Sequence, residues 1–303
     1  MSALLDNLSR PSPTIWLEVA PPRGINCESL LSKLGLLRGH VDAINLTDNA
    51  LGQVKLSGLV FASMIKSRLG LPVVLNFSCR DRNRLALKSD LLGAAALGID
   101  GVVAITGDKL NRHAAGAVGG GASVARDLDA IGLLQVIRDL NRGDTGEGKR
   151  LLKTLPALAA GAVANPNRAS SERELELLAR KAEAGARFVI TQPVFERERA
   201  MAFVGRARTY NIKVVLGILP VKREAMANYL SDRVTDLSGA RDHFQRYAGL
   251  SESEARELSM RENLELMEAL ASEVAGFNIM SGGGPSLSSE LAIEFSRRSA
   301  SRV

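Results

Sequence analysis

Eight short apolar runs alternate with stretches of helical spacing along this chain, and no other feature restricts its fold as much. The clearest run is Gly101-Val-Val-Ala-Ile-Thr-Gly-Asp108, which stops on Thr106-Gly107-Asp108 and is followed by a glycine-filled segment. A run so short and so apolar reads as a strand buried on both faces, the habit of parallel sheets wrapped by helices. In such sheets ligands bind at the carboxyl ends of the strands, which is where Asp108 sits.

The remaining runs cover residues 15–19, 41–47, 73–78, 157–163, 187–191, 213–219 and 277–280. Apolar spacing predicts helices over 27–38, 56–69, 83–97, 128–140 and 196–208, with Gly98 as a stop signal. Ser171 and Glu174 have the spacing of a capping box ahead of Leu175, Leu178, Ala179 and Ala182, and Gly185 ends that helix. Residues 221–275 read as helical, with Ser251-Glu-Ser-Glu254 as a second helix start, and a final helix follows Ser281-Gly-Gly-Gly284. Residues 107–126, with Gly116, Gly119, Gly120 and Gly121, read as a mobile loop. Eight strand–helix units in 303 residues predict a (β/α)8 TIM barrel with extra helices between strands seven and eight, residues 1–303 forming one catalytic domain. A doubly wound open sheet is the competitor, but no Gly-x-Gly-x-x-Gly follows the first strand.

Cys27 and Cys79 lie far apart and give no disulfide framework, which points to the reducing cytoplasm. No apolar run has the length of a membrane span, and residues 1–13 lack a signal-peptide core. The net charge of +6 is scattered among acids, as in Glu196-Arg-Glu-Arg199, and aromatic residues are only 4%. Both features argue against nucleic-acid binding and suit a small anionic ligand instead.

On a closed barrel the strand ends converge, so Glu18, Thr47, Asn76, Asp108, Asn165 and Gln192 are expected to face one mouth. This set has acids, amides and a hydroxyl but no histidine. It also lacks metal-ligand spacing, a Gly-x-Ser-x-Gly elbow and a Cys–His pair, which disfavours metal hydrolysis and acyl transfer. Acid–base or electrostatic help to a cofactor fits better. A carboxylate within an apolar strand, as at Glu18, is costly without a task or partner. Taken singly, Asp108 reads as a loop cap, while Thr47-Asp48-Asn49 and Asn165-Pro166-Asn167 read as turns. His113 and His243 read as surface residues.

Seven segments, in order, resemble the methylenetetrahydrofolate reductase family. They are Glu18-Val-Ala-Pro-Pro-Arg23, Asn76-Phe-Ser-Cys-Arg-Asp-Arg-Asn83, Leu97-Gly-Ile99 with Thr106-Gly-Asp108, Ala164-Asn-Pro-Asn167, Lys181-Ala-Glu-Ala-Gly-Ala186, Ile190-Thr-Gln-Pro193 and Gly217-Ile-Leu-Pro-Val221. The resemblance implies a barrel that holds a flavin, reduced by NAD(P)H and reoxidised by 5,10-methylenetetrahydrofolate. It implies Glu18 as the general acid that protonates N10 when the folate ring opens to a 5-iminium cation, which then takes hydride from flavin N5. It places Asp108 beside flavin and pterin as the stabiliser of that cation, and Gln192 on the pterin edge. Thr47, Asn76, Thr106, Gly107, Asp108, Asn165, Arg180 and Lys181 fall at flavin-contacting positions, Arg180 and Lys181 being suited to its phosphates. The best-known bacterial branch carries His, Arg and Tyr where this chain has Asn76, Thr106 and Asn165, so FMN stands as the alternative to FAD. Lys109-Leu110 replaces a frequent proline, so a partner subunit stands as the alternative electron donor. A homo-oligomer is expected. The rival from another class is a non-catalytic or electron-receiving subunit of a one-carbon complex, and a barrel enzyme on an unrelated substrate is a third reading.

Overall fold

A computed structural model describes residues 3–107, 127–146, 148, 150–151, 157–168, 171–233, 235–281 and 286–300. In order come α1 (Ala3–Asn7), β1 (Thr14–Val19), α2 (Glu28–Gly35), β2 (Ala43–Leu46), α3 (Gly58–Leu69), β3 (Val73–Ser78), α4 (Arg84–Ala96) and β4 (Gly101–Ile105). The second half runs α5 (Ala130–Asn141), β5 (Ala159–Ala164), α6 (Ser171–Ala184), β6 (Phe188–Pro193), α7 (Arg197–Arg208) and β7 (Lys213–Ile218). Then follow α8 (Glu224–Arg233), α9 (Arg241–Gln245), α10 (Glu252–Leu270), β8 (Gly276–Ile279) and α11 (Ser286–Ala300). The eight strands pair in parallel, in chain order, and close on themselves through β1 and β8: a (β/α)8 TIM barrel.

Alternation along the strands sorts the side chains into two cores. Ile15, Leu17, Ile44, Leu75, Val102 and their equivalents point outward and are buried under the helices. Trp16, Ala43, Val74, Val103, Phe188 and Val215 fill the interior, together with Leu4 and Leu8 from the α1 segment. That segment stoppers the barrel's lower end. A Cβ on Gly101 would come within 2.5 Å of Leu4 Cδ2, and one on Gly161 within 2.3 Å of the Phe188 ring. Phe188 in turn meets Trp16 edge-on at 5.5 Å. Glycine at these two positions therefore makes room for the large side chains of the floor. Below the sheet, Asp42 accepts a 2.8 Å hydrogen bond from the Ile15 N–H, and Asp100 a 2.9 Å bond from the Val73 N–H.

Residues 221–275 are helical but broken, since a 3-10 segment (Thr235–Ala240) and the short α9 separate α8 from α10. The helix start at Ser251 is a full capping box with Glu254. Of the box expected at Ser171 and Glu174, the glutamate is engaged elsewhere. The Glu174 carboxylate turns back to accept the Asn165 N–H at 2.8 Å and to meet Arg168 Nε at 3.2 Å, so it fastens the end of β5 to α6. His243, expected on the surface, is half-buried and stacks on Phe195 at 4.2 Å beside Phe244 and Tyr247. Burial, followed by the nearby Arg246 charge, pushes its imidazole pKa down to about 4. Helical spacing alone does not show that the α8–α10 insert folds over its own apolar cluster. The glycine-rich segment 108–126 and His113 lie outside the described residues. Among the described residues, no helix is long and apolar enough to cross a membrane.

Candidate active site

The upper end of the barrel holds a cavity of about 540 Å3. Glu18, Thr47, Asn76, Thr106, Gly107, Asn165, Lys181 and Gln192 all line it, each from the end of its strand or, for Lys181, from α6. Asp108 lies outside the described residues, directly after Gly107. Arg180 is exposed and is not part of the lining.

Glu18 points inward because it shares the phase of Trp16 on β1. Burial raises its pKa, and a hydrogen bond from the Asn278 amide to Oε2, at 3.2 Å, opposes that rise. Asn278 is itself held by the Asn45 amide (3.1 Å), and Asn45 by Asn76 (3.0 Å), which also donates to the Leu46 carbonyl at 2.7 Å. Asn45 and Asn278 were not singled out in the sequence, although both are the inward-phase polar residue of an otherwise apolar strand. That phase is the signal that identifies them.

Gln192 sits at an irregularity of β6, where the register with β7 shifts between Ile190 and Pro193. Gly217 on β7 permits it, since a Cβ there would lie 2.4 Å from the Thr191 carbonyl oxygen. Thr191 Oγ1 then accepts the Gly217 N–H at 2.9 Å. The irregularity aims Gln192 at the cavity, a frequent use of such features near binding sites. Asn165 receives the Asn167 N–H on its side-chain oxygen at 2.9 Å, while Asn167 reaches across to the Pro193 carbonyl at 2.8 Å and ties the ends of β5 and β6 together.

The cations of the rim come from several elements. Lys181 Nζ donates to the Val163 carbonyl at 2.6 Å, and burial lowers its pKa despite the nearby Glu174. Arg80 and Arg168 line the same cavity. Asp48, which reads in sequence as a turn residue, is buried, accepts the Ser78 N–H at 2.8 Å and pairs with Arg82. Gly107 has φ +89°, and a Cβ on it would meet Ser78 Oγ at 2.4 Å, so the chain turns tightly against β3 just before Asp108.

The family model described as Methylenetetrahydrofolate reductase matches residues 4–241 of this chain. The chain belongs to that family. It is 28% identical over 170 residues to the 5,10-methylenetetrahydrofolate reductase of Salmonella typhimurium, covering 55% of this chain and half of that one. It is 24% identical over 241 residues to the enzyme of the same name from Buchnera aphidicola, covering 78% of this chain and 74% of that one. Among solved structures it resembles a Clostridium thermocellum protein described as binding two copies of 5-methyl-5,6,7,8-tetrahydrofolic acid (TM-score 0.63, 17% identity, 97% and 99% of the two chains). It also resembles the tryptophan synthase A-subunit of Pyrococcus furiosus (TM-score 0.52, 12% identity, 95% and 96%). At these identities the structural likeness concerns the barrel alone.

The flavin that membership in the methylenetetrahydrofolate reductase family implies fits the residues present. Thr47 Oγ1 lines the cavity, is shut from solvent and has no hydrogen-bond partner among the described residues. A buried hydroxyl left unpaired is costly, and a ligand atom in the cavity would satisfy it. The Lys181, Arg80 and Arg168 cations suit phosphate groups, and the cavity volume is that of a cofactor-sized site.

Proposed function

We propose that this chain reduces 5,10-methylenetetrahydrofolate to 5-methyltetrahydrofolate, using a flavin held in the barrel mouth and NAD(P)H as the electron source. Residues 1–303 would serve as one catalytic barrel. The observation that carries the reading is the convergence of a burial-stabilised acid, Glu18, and a primary amide, Gln192, on one cavity whose rim also bears cations.

Burial raises the Glu18 pKa and so favours its neutral carboxyl, which would deliver a proton to N10 as the folate ring opens. Gln192 offers a donor and an acceptor side by side, which match the paired groups on a pterin edge. Thr47, Thr106, Gly107 and Asn165, which line the cavity, would hold the flavin, with Lys181 suited to its phosphates. Asp108, following the tight turn at Gly107, would stabilise the iminium charge. When bound, the flavin supplies the hydride.

The visible spectrum of the purified protein tests the reading. A flavin band bleached by NADH or NADPH and restored by 5,10-methylenetetrahydrofolate supports it. A colourless protein inert to both reductants, co-purifying with a second polypeptide, assigns the chain instead to a non-catalytic or electron-receiving role in a one-carbon complex. Denaturing the yellow protein and separating the released cofactor decides between FAD and FMN.

A further inference from the structure

Three buried carboxamides from β2, β3 and β8 form a single hydrogen-bonded chain that ends on Glu18, and the direction of that chain is fixed. Asn76 Nδ2 donates to the Leu46 carbonyl, a group that can only accept, so the Asn76 amide cannot be turned round. Its amide group therefore also donates to Asn45 Oδ1, which obliges Asn45 to present Nδ2 to Asn278 Oδ1. Asn278 is left with only donors, and one of them reaches Glu18 Oε2. Asn45, Asn76 and Asn278 are all buried, so water does not compete for these bonds.

We propose that Asn278, backed by Asn45 and Asn76, is a positioning residue that decides which oxygen of Glu18 carries the transferable proton. A neutral carboxyl has one oxygen that accepts and one that bears hydrogen. Because Asn278 can only donate to Glu18, it favours Oε2 as the carbonyl oxygen, the stronger acceptor, and so places the proton on Oε1. No hydrogen bond to Oε1 is made among the described residues, and Glu18 lines the cavity, so Oε1 is the oxygen left for a substrate atom. After transfer, the carboxylate keeps the same bond on Oε2 and needs no reorganisation. The inference rests on the acid role proposed for Glu18. The charged groups facing the cavity from other elements are Asp48 beyond β2, Arg80 beyond β3, Asp129 ahead of α5, Arg168 beyond β5, and Glu174 and Lys181 on α6. None is hydrogen-bonded or ion-paired to Glu18 among the described residues, which leaves Asn278 as its polar contact.

The test is infrared difference spectroscopy of the protein across pH, with the protonated-carboxyl stretch of Glu18 assigned by its loss in Glu18→Gln. In Asn278→Leu the carbonyl stretch is expected at higher frequency, because its donor is gone, and the Glu18 titration is expected to shift to higher pH. The shift follows because a bond that favours the carboxylate has been removed. An unchanged stretch and titration in a folded Asn278→Leu protein overturns the proposal, whatever happens to its melting temperature. Should that variant fail to fold, Asn278→Asp keeps the shape and the bond from Asn45 while placing a second carboxyl against Glu18. Titration in two steps, the upper one above that of the unaltered protein, then supports the proposal, and a single unshifted step overturns it. These readouts need no folate turnover. A shift in a protein that never reduces methylenetetrahydrofolate keeps the amide chain and removes the reductase reading. No shift in a protein whose folate reduction still depends on Glu18 does the reverse.

Discussion

At the scale of the residue, the acid role proposed for Glu18 sets chemistry against stability. Its folded-state pKa is raised by burial, so the folded protein binds a proton that the unfolded chain releases as pH climbs out of the ordinary carboxylate range. Stability contributed by the neutral form is therefore present at low pH and lost as pH rises through the folded value. Glu18→Gln, which cannot ionise, should melt above the unaltered protein in alkaline buffer, and the two should converge in acid; thermal melts across pH decide this. The same substitution should lower folate reduction by about 10²–10⁴-fold, the usual worth of a positioned general acid. Flavin reduction by NAD(P)H, which needs no proton at N10, should proceed. Stopped-flow measurement of each half-reaction separates the two, and equal loss in both would remove Glu18 from the acid role.

At the scale of the element, the barrel strands were legible in the sequence because they are short apolar runs, most of them closed by polar or turn-forming residues. Val73–Ser78, for example, matches its run end to end. The lining of the candidate site was legible too, as Glu18, Thr47, Asn76, Asn165 and Gln192 reach one cavity from five strand ends. Asn45 and Asn278 are legible only through the inward phase set by Trp16 and Glu18, because a run buried on both faces looks apolar as a whole. The bend at Gln192 was hidden for another reason, since it depends on a glycine in the neighbouring strand. Gly217→Ala should force the Thr191 backbone away, cost about 1–3 kcal/mol of stability and weaken folate binding by displacing Gln192. Denaturant melts and a folate titration check both effects. The α8–α10 insert carries its own pH signature. The pKa of His243 is lowered to about 4, so the unfolded chain binds a proton the folded one refuses, and stability falls as pH drops from the ordinary histidine range toward that value. His243→Phe should flatten this acid slope by on the order of 2 kcal/mol, read from melting temperatures between neutral and mildly acid buffers.

At the scale of the whole molecule, the α1 segment is part of the barrel's interior. Leu4 and Leu8 are buried against side chains from several strands, and Leu4 occupies the space that Gly101 leaves open. Leu4→Ala should cost about 2–5 kcal/mol, measured by chemical denaturation, because the surrounding barrel cannot collapse onto the gap. The plug also governs traffic. With Trp16, Phe188 and the two leucines sealing the floor, the site is a cul-de-sac, and a molecule that has reacted there must back out the way it came. On the proposed function, a reductant and an acceptor that both need the innermost position must queue, each waiting for its predecessor to vacate the lane.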